Sequence, residues 1–582
     1  MNKYEWAIED IYCTKEQFEE ELLQVEKQID FSEFKGKLDK KDCFLACQKK
    51  LESISRKLEK LSVYAMMNHD VDTASSEFDA MVSKTTSLCV KFSEKCAFIV
   101  PELLSLDESV LLSYINDKDL KEYDYYLKGL LKDKAHVLSE SEESMLANLG
   151  DVFSSFKDIF TKLDNADLPL GEIEHNGEKI ELTHGTYGVI LHGEDRALRE
   201  KAFKSYYQAY KSLINTISAT YAGNVKKNVF SAKTRKYGSV LEKALSGEDV
   251  DKKVYEKLLK SVNNALPILH QFIKAKKQVL GYSEMHMYDI YAPITKGGEL
   301  KLDYEDAYEL VVKGLEPLGK EYKDLLYLAK DNRWISVYET KNKRSGAYSV
   351  CVYDTHPFVL LNYQKTTHDV FTIAHELGHS MHSYFSNKNQ PYAKADYKIF
   401  VAEVASTVNE VLLVKYLLKT AKDESVKKYL LVYLMDMIRT TIFRQTQFSE
   451  FEEFAHSQVE KGIPLTKDSM NEYYLSLNEK YYGKDIIHDD EIKYEWSRIP
   501  HFYRAFYVYK YASGLISALA IADRILTEGE SAVKDYFAFL SSGGSDSPVE
   551  LLKIAGVNLM EDKPYERAFK VFEDALREFN DL

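Results

Sequence analysis

Residues 375–379, which read His-Glu-Leu-Gly-His, have the types and spacing of a metal-binding motif. Residues four apart on an α-helix lie on one face, so His375 and His379 can bind one zinc ion together. In the His-Glu-x-x-His pattern of zinc peptidases the glutamate, here Glu376, acts as the general base. Because so short a pattern can arise by chance, the hypothesis needs a third ligand.

Glu403 is the best candidate for that ligand. It lies within residues 399–413, an otherwise apolar run with helical spacing. A carboxylate flanked by alanine and valine is costly to bury unpaired, and a metal ion would remove that cost. His375, His379 and Glu403 would form a catalytic His₂Glu set with a fourth position left for water.

Two further residues lie near these candidates in sequence. Glu410 shares a helix face with Glu403 and could accept a hydrogen bond from a ligand imidazole; a surface salt bridge is the alternative interpretation. His382 is interpreted as a core residue or one that supports a ligand, because adjacent helical turns do not readily aim three rings at one point. The pattern assigns it neither metal binding nor catalysis.

An aromatic and polar cluster at residues 496–511 supplies groups for the other half of amide hydrolysis, which is stabilisation of an oxyanion. His501 and Tyr509 are eight residues apart, so a continuous helix would bring both near one face. Alone, such a cluster is more typical of an aromatic core. Beside a candidate zinc site, it becomes the best source of oxyanion donors.

The elements that must position these residues are mostly helices, since only 11 prolines and 25 glycines interrupt 582 residues. Asn176-Gly177 between short alternating segments predicts a β-hairpin. Residues 334–363 have a strand-like pattern, which predicts either a small structural sheet or an edge strand that pairs with an extended peptide. We predict an N-terminal helical lobe over residues 1–195 and a catalytic domain over residues 196–582.

Composition narrows the function classes. The net charge is −15, which opposes binding to nucleic acid or to an anionic membrane surface. The most apolar run, residues 512–522, is too short to span a bilayer. Six cysteines without a Cys-x-x-Cys spacing, and an N-terminus without an apolar signal segment, predict free thiols and a cytoplasmic location.

The chain resembles the oligoendopeptidase F branch of the thimet-oligopeptidase-like zinc metallopeptidases. The resemblance rests on the motif at residues 375–382 and on the segments 399–406 and 498–503. Residues 344–349, 356–358 and 361–363 also match, and residues 6–12 match more weakly. The resemblance extends over most of the chain, with these segments in order.

This resemblance implies a mainly α, bowl-like or clamshell fold of two lobes with one zinc ion deep in a cleft and a small β element beside it. It implies an endopeptidase limited to short oligopeptides, with His375, His379 and Glu403 as ligands and Glu376 as base. His501 matches a histidine that binds substrate or transition state. For the supporting tyrosine the chain offers Tyr503, Tyr507, Tyr509 and Tyr511, of which we favour Tyr509 and then Tyr507.

Two alternatives stay open. A carboxypeptidase on the same scaffold would differ by capturing the C-terminal carboxylate of its substrate. A non-catalytic peptide-binding protein with coincidental histidines would bind no stoichiometric zinc. Cleavage preference, physiological substrate, oligomeric state and the degree of cleft closure do not follow from these residues.

Overall fold

The computed structural model describes residues 2–582, apart from the side chain of Glu140. Within that range it contains 26 α-helices and five short strands, which confirms the mainly α prediction. The chain divides into two compact units, and each unit is built from three separate segments of the chain.

The first unit comprises Met1–Val137, Glu299–Leu417 and Ile521–Val557. Its first segment forms α1 Lys15–Gln28, α2 Lys41–Val71, α3 Ser76–Cys96, α4 Ile99–Ser105, α5 Glu108–Ile115 and α6 Asp124–Asp133. The second segment contributes α15 Tyr304–Gly314, α16 Lys320–Asp331, β3 Ile335–Ser336, β4 Tyr348–Cys351, β5 Pro357–Leu360, α17 Thr367–Asn389, α18 Tyr392–Ala395 and α19 Ile399–Thr420. The last contains α24 Glu530–Leu540 and α25 Pro548–Ile554.

The second unit comprises Leu138–Gly298, Leu418–Ala520 and Asn558–Leu582. Its first segment forms α7 Glu140–Asn148, α8 Gly150–Lys162, β1 Glu172–His175, β2 Glu178–Glu181, α9 His184–Leu191, α10 Arg196–Ser212, α11 Ile214–Thr234, α12 Val240–Glu248, α13 Lys252–Asn264 and α14 Leu266–Leu280. The later segments add α20 Glu424–Ile438, α21 Arg444–Glu460, α22 Lys467–Tyr482 and α26 Lys563–Asp581. Helix α23, Tyr509–Glu528, begins in this unit and ends in the first.

Both predicted β regions are confirmed. Strands β1 and β2 pair antiparallel around Asn176 and Gly177, whose φ angles of 54° and 83° are those of a tight hairpin turn. Strands β3, β5 and β4 form one sheet in that order, with β5 in the centre and β4 at an edge. Because β4 is an edge strand, one side of its backbone is available to pair with an added strand.

The sheet shares a hydrophobic core with the N-terminal helices. Phe358 and Leu360 of β5 are buried in one cluster with side chains from α1 to α6. Residues far apart in sequence therefore fold as one unit, whereas the predicted division into 1–195 and 196–582 follows chain order. That division stays a prediction.

The helix that carries the motif, α17, is long and has a well-defined start. Thr366 caps it, and the Thr366 and Asp369 side chains bond reciprocally to each other's backbone amides. Helix α17 then packs against β4 and β5 on one side and against α15 and α24 elsewhere. It is therefore held from several directions, as a metal-binding helix requires.

His501 and Tyr509 do not lie on one continuous helix, so the shared face that such a helix would give them does not form. Residues Pro500–Tyr503 form a short 3₁₀-helix, and α23 begins only at Tyr509. Between them Phe506 adopts φ 51°, which is unfavourable for a bulky residue in a helix. Its amide donates a hydrogen bond to the buried carboxylate of Glu452, at 3.0 Å, and this long-range contact stabilises the turn.

Of the helices formed by residues 2–582, none combines the length and the apolar character needed to cross a bilayer.

Candidate metal centre

Three of the predicted site residues meet in the first unit. His375 and His379 of α17 bring their Nε2 atoms to 3.2 Å from each other. The Oε2 atom of Glu403, on α19, lies 3.4 Å from the first of these nitrogens and 3.5 Å from the second. The three atoms form a nearly equilateral triangle. The loop and short helix before α19 connect α17, which carries the two histidines, to the helix that carries Glu403.

The size of this triangle fits a zinc ion. Ligand bonds of roughly 2.0–2.1 Å in a tetrahedron place neighbouring donor atoms about 3.3 Å apart. The three observed separations, 3.2, 3.4 and 3.5 Å, lie on both sides of that value. Two imidazoles and one carboxylate form a donor set of catalytic zinc sites and leave a fourth position open.

Close contact between α17 and α19 makes this convergence possible. Gly378 lies between the two ligand histidines in sequence, where its Cα faces the backbone of Ala405 and Ser406. A Cβ at this position would stand 2.4 Å from the Ser406 Cα. The absence of a side chain therefore lets the two helices pack backbone to backbone.

Glu410 orients the first ligand histidine. Its Oε1 lies 2.6 Å from His375 Nδ1, which fixes a hydrogen on Nδ1 and turns Nε2 toward Glu403 and His379. Burial by itself lowers the pKa of His375, but the carboxylates of Glu403 and Glu410 outweigh it and raise the pKa to about 10. The negative charge around this ring matches what a bound cation would require.

Glu403 is less enclosed than its apolar sequence neighbours suggest. Its side chain is 41% exposed, so the carboxylate is partly buried and not fully buried as predicted. Burial of the carboxylate raises its pKa, but the neighbouring His375 and His379 rings more than offset this and hold that pKa well below its usual range. An ionised carboxylate at an accessible position is suited to bind a metal beside a substrate.

Glu376 lies between the two histidines on α17 and is 7% exposed. Burial raises the pKa of its carboxyl group, which the charge of the adjacent histidines only partly offsets. A carboxylate with a raised pKa is suited to accept a proton and pass it on, because its protonated form is not too acidic at neutral pH.

His382 takes no part in the triangle. Its ring stacks on Tyr397, with centroids 3.8 Å apart, and also contacts Phe539. Burial lowers the pKa of His382 to about 3, so the ring is neutral. The interpretation of His382 as a core residue is confirmed.

The remaining predicted residues lie in the second unit. The His501 ring is exposed, and its pKa is lowered by burial of part of the ring and by the charges of Arg444 and Arg504. The Tyr507 ring stacks parallel to it with centroids 6.1 Å apart, and the Tyr511 ring lies edge-on at 5.9 Å. These three rings form one accessible group.

Tyr509 points elsewhere. It is 1% exposed, and its ring packs against Tyr255 with centroids 5.5 Å apart. The change of direction follows from the interrupted helix, because the turn at Phe506 rotates α23 relative to the 3₁₀-helix that carries His501. The structure therefore places Tyr507 with His501 and places Tyr509 in the core.

Sequence reasoning missed one positioning residue, Asn409. Its amide nitrogen donates to the carbonyl of Ala374 at 3.0 Å, and its oxygen accepts from the Tyr322 hydroxyl at 3.0 Å. It thereby links α19 to the turn of α17 that carries His375. A polar residue in an apolar helix was the available signal, the same one that identified Glu403.

Comparison with known proteins places these residues in a family context. The family model described as peptidase family M3 matches residues 189–571, and the one described as oligopeptidase F matches residues 102–169. Oligopeptidase PepF of Bacillus subtilis is 41% identical over 581 residues, which is 99% of this chain and 87% of that protein. Group B oligopeptidase PepB of Streptococcus agalactiae is 39% identical over 584 residues, covering 100% of this chain and 97% of that protein.

A solved structure shows the same similarity in three dimensions. The crystal structure of oligoendopeptidase F from Enterococcus faecium superposes with a TM-score of 0.74 at 36% sequence identity. The match covers 97% of this chain and 98% of that one.

Proposed function

Because the chain belongs to peptidase family M3, in its oligopeptidase F group, we propose that it is a zinc-dependent endopeptidase that cleaves internal bonds of short peptides. Membership itself makes the protein an oligopeptide-hydrolysing metallopeptidase. Zinc as the metal and cleavage at internal bonds are our proposal. The observation that supports it most is the triangle of His375, His379 and Glu403 with Glu376 beside it.

Glu376 is the proposed proton carrier of the reaction. Zinc, when bound, supplies a Lewis acid that polarises the scissile carbonyl and makes water more acidic. The Glu376 carboxylate accepts the proton of the attacking water, and its carboxylic acid then donates that proton to the leaving amine. Burial favours this cycle because it raises the pKa of Glu376 toward the working pH.

His501 and a tyrosine are the proposed oxyanion donors. This role rests on the family pattern and on the donor chemistry of imidazole and phenol. The lowered pKa of His501 keeps the ring neutral, with one N–H to donate. Tyr509 remains a candidate from the sequence, but its burial and the pairing of Tyr507 with His501 favour Tyr507.

The proposed route of the substrate follows strand β4. An extended peptide can add to the free edge of β4 through main-chain hydrogen bonds, which do not depend on side-chain identity. Ser349 of this strand lies 2.9 Å from Ser380 of α17, measured between their hydroxyl oxygens, so the strand is fixed next to the metal-binding turn. Binding through the backbone suits an enzyme that acts on varied oligopeptides.

Peptides blocked at both ends test the proposal. We expect the purified protein to contain one zinc per chain, to cut an N-acetylated and C-amidated peptide internally, and to lose and regain activity with chelator and zinc. Removal of only terminal residues from unblocked peptides would favour the carboxypeptidase alternative. A protein without stoichiometric metal, and without activity after zinc addition, would overturn the proposal.

The six free cysteines support the predicted cytoplasmic location.

A further inference from the structure

A cavity of about 1000 Å³ lies in the first unit next to the metal-binding helices. Its wall includes Ser383 of α17, one turn or about 6 Å along the helix from His379. It also includes Ala402, which directly precedes Glu403, and Ser349 to Cys351 of the edge strand β4. A peptide paired with β4 would therefore pass along this cavity.

The wall of the cavity is acidic and aromatic. Three carboxylates, from Glu52, Glu59 and Asp396, line it, and its described wall residues include no lysine, arginine or histidine. The wall also contains five tyrosines, namely Tyr123, Tyr126, Tyr353, Tyr392 and Tyr397. Carboxylates and aromatic faces both attract cations, and tyrosine rings do so without a competing net charge.

Several polar atoms of this wall have no partner within the protein. The Tyr123 side chain is 2% exposed, and its hydroxyl has no partner at hydrogen-bond distance, although burial and the nearby Glu52 and Glu122 carboxylates raise its pKa. Glu59 accepts a hydrogen bond from the Tyr353 amide at 3.3 Å through one oxygen, whereas its other oxygen is buried and unpartnered. One oxygen of Glu52 is also unpartnered. Buried polar groups in this condition are unusual, and a water, an ion or a ligand group in the cavity would satisfy them.

Two cations beside the cavity already face part of its wall: Lys49 Nζ lies 5.5 Å from the Tyr123 ring centroid, and the Arg56 guanidinium lies 5.1 Å from that of Tyr353. Lys49 lies 2.6 Å from Glu122 and 3.1 Å from the second oxygen of Glu52. Arg56 pairs with Asp354. The Glu59 carboxylate, for its part, has a pKa that burial raises to about 7, and the neighbouring Asp396 contributes to this rise. A cation in the cavity would stabilise the charged form of both carboxylates.

We propose that this acidic cavity, lined by Glu52, Glu59, Asp396 and the five tyrosines, binds a positively charged group of the peptide substrate. The ligand chemistry is an ammonium or guanidinium, supplied either by a lysine or arginine side chain or by the N-terminal amine. The inference rests on the proposed function, since it gives that peptidase a preference for cationic peptides. Glu59 is the main specificity-determining residue.

Matched peptides test this inference on the metal-loaded enzyme. One internally quenched peptide is scanned with arginine at each position and compared with the same peptide carrying the neutral isostere citrulline. A second arm compares free and acetylated N-termini. We expect one cationic position, or the free amine, to raise kcat/KM about tenfold, as a charge-assisted hydrogen bond allows.

Variants connect that preference to the cavity. In Glu59→Gln the ratio of kcat/KM for the cationic and neutral peptides should fall toward one. Asp396→Asn, at the exposed rim, should reduce the same ratio severalfold. Because position 396 lies outside the core, this variant still tests the inference if Glu59→Gln fails to fold. Glu26→Gln, on exposed α1, is the matched control and should keep the ratio of the unchanged protein.

The outcomes separate this inference from the proposed function. Equal kcat/KM for cationic and neutral peptides at every position and with either N-terminus would overturn the inference while leaving the peptidase established. A cationic preference that survives both cavity variants would also overturn it. Failure to cleave any peptide, neutral or cationic, would instead contradict the proposed function.

Discussion

Gly378 and Ser406 are in contact through their backbones at the crossing of α17 and α19. Any Cβ on Gly378 would lie 2.4 Å from the Ser406 Cα and 2.7 Å from the Ala405 carbonyl oxygen. Both atoms belong to backbone, so neither can move aside without shifting a helix. This contact sets the distance between Glu403 and the two candidate ligand histidines.

Gly378→Ala is expected to weaken both the fold and the metal centre. Overpacking of this kind costs about 1–3 kcal/mol and would push α19 away from α17. We expect a lower melting temperature and at least tenfold weaker zinc binding, measured by calorimetry and by competition with a chromogenic chelator. Gly129→Ala is the control, since Gly129 is a helical glycine with open space around its Cα, and should raise stability by about 0.5–1 kcal/mol. Unchanged zinc affinity in Gly378→Ala would contradict this account of the crossing.

Removal of the Glu410 carboxylate should weaken metal binding without removing a ligand. Glu410 accepts a hydrogen bond from His375 Nδ1, with the two heavy atoms 2.6 Å apart, and loss of such a partner typically costs 10–100-fold in metal affinity or activity. We expect about that loss of zinc affinity in Glu410→Ala and a smaller loss in Glu410→Gln, whose amide oxygen can still accept the bond. If Glu410 formed only a surface salt bridge, both variants would bind zinc as the unchanged protein does.

Glu376→Gln should separate metal binding from turnover. The amide cannot accept the proton of the attacking water, so kcat should fall by about 10²–10⁴, the range for loss of a general base. Zinc content should stay at one per chain, because Glu376 is not part of the ligand triangle. Metal analysis beside a peptide-cleavage assay measures both quantities. Cleavage at the rate of the unchanged protein would remove Glu376 from the mechanism.

Some of these residues could be located from the sequence, because their signals are local. The helical spacing of His375 and His379, and the carboxylate of Glu403 in an apolar run, each express a requirement visible within a few residues. Gly378 gave only a partial signal: a glycine inside a helix is unfavourable and often has a packing reason, but the sequence does not name Ser406 as the partner.

Other features depend on contacts between distant segments. The turn at Phe506 is held by Glu452, which lies 54 residues earlier, so the spacing of His501 and Tyr509 does not reveal the interruption between them. The core that joins α1 to α6 with β5 likewise depends on packing between segments more than 200 residues apart, which no local pattern encodes. For this reason the residue types of the site were easier to predict than the direction of Tyr509.

Zinc affinity should increase with pH. In the metal-free centre the pKa of His375 is about 10, because the carboxylates of Glu403 and Glu410 overcome the opposing effect of burial. The ring is therefore protonated below pH 10, and a metal ion must displace that proton. We expect the affinity to rise about tenfold per pH unit across pH 7–9 for this one proton, and to level off above the pKa.

Calorimetry of zinc binding in buffers with different ionisation enthalpies counts this proton directly. About one proton should be released from His375 at pH 8. In His375→Ala that release should disappear, together with most of the affinity, whereas the surface control Glu26→Gln should release the same number as the unchanged protein. Proton release of zero, with affinity independent of pH, would show that the ring is neutral before the metal binds.

Phenylalanine at position 507 should impair turnover more than phenylalanine at position 509. The Tyr507 ring stacks on His501, and the guanidinium of Arg504 lies 4.0 Å from its centroid, so its hydroxyl belongs to an accessible, positively charged group. Removal of one oxyanion donor typically lowers kcat by about 10²–10³ with little change in KM. The Tyr509 ring instead packs on Tyr255 in the core. We therefore expect Tyr507→Phe to lose kcat in that range, and Tyr509→Phe to change the melting temperature more than kcat. If Tyr509→Phe lost more kcat than Tyr507→Phe, Tyr509 would again be the preferred oxyanion donor, as the sequence predicts. The exposure of each ring would then not identify the donor.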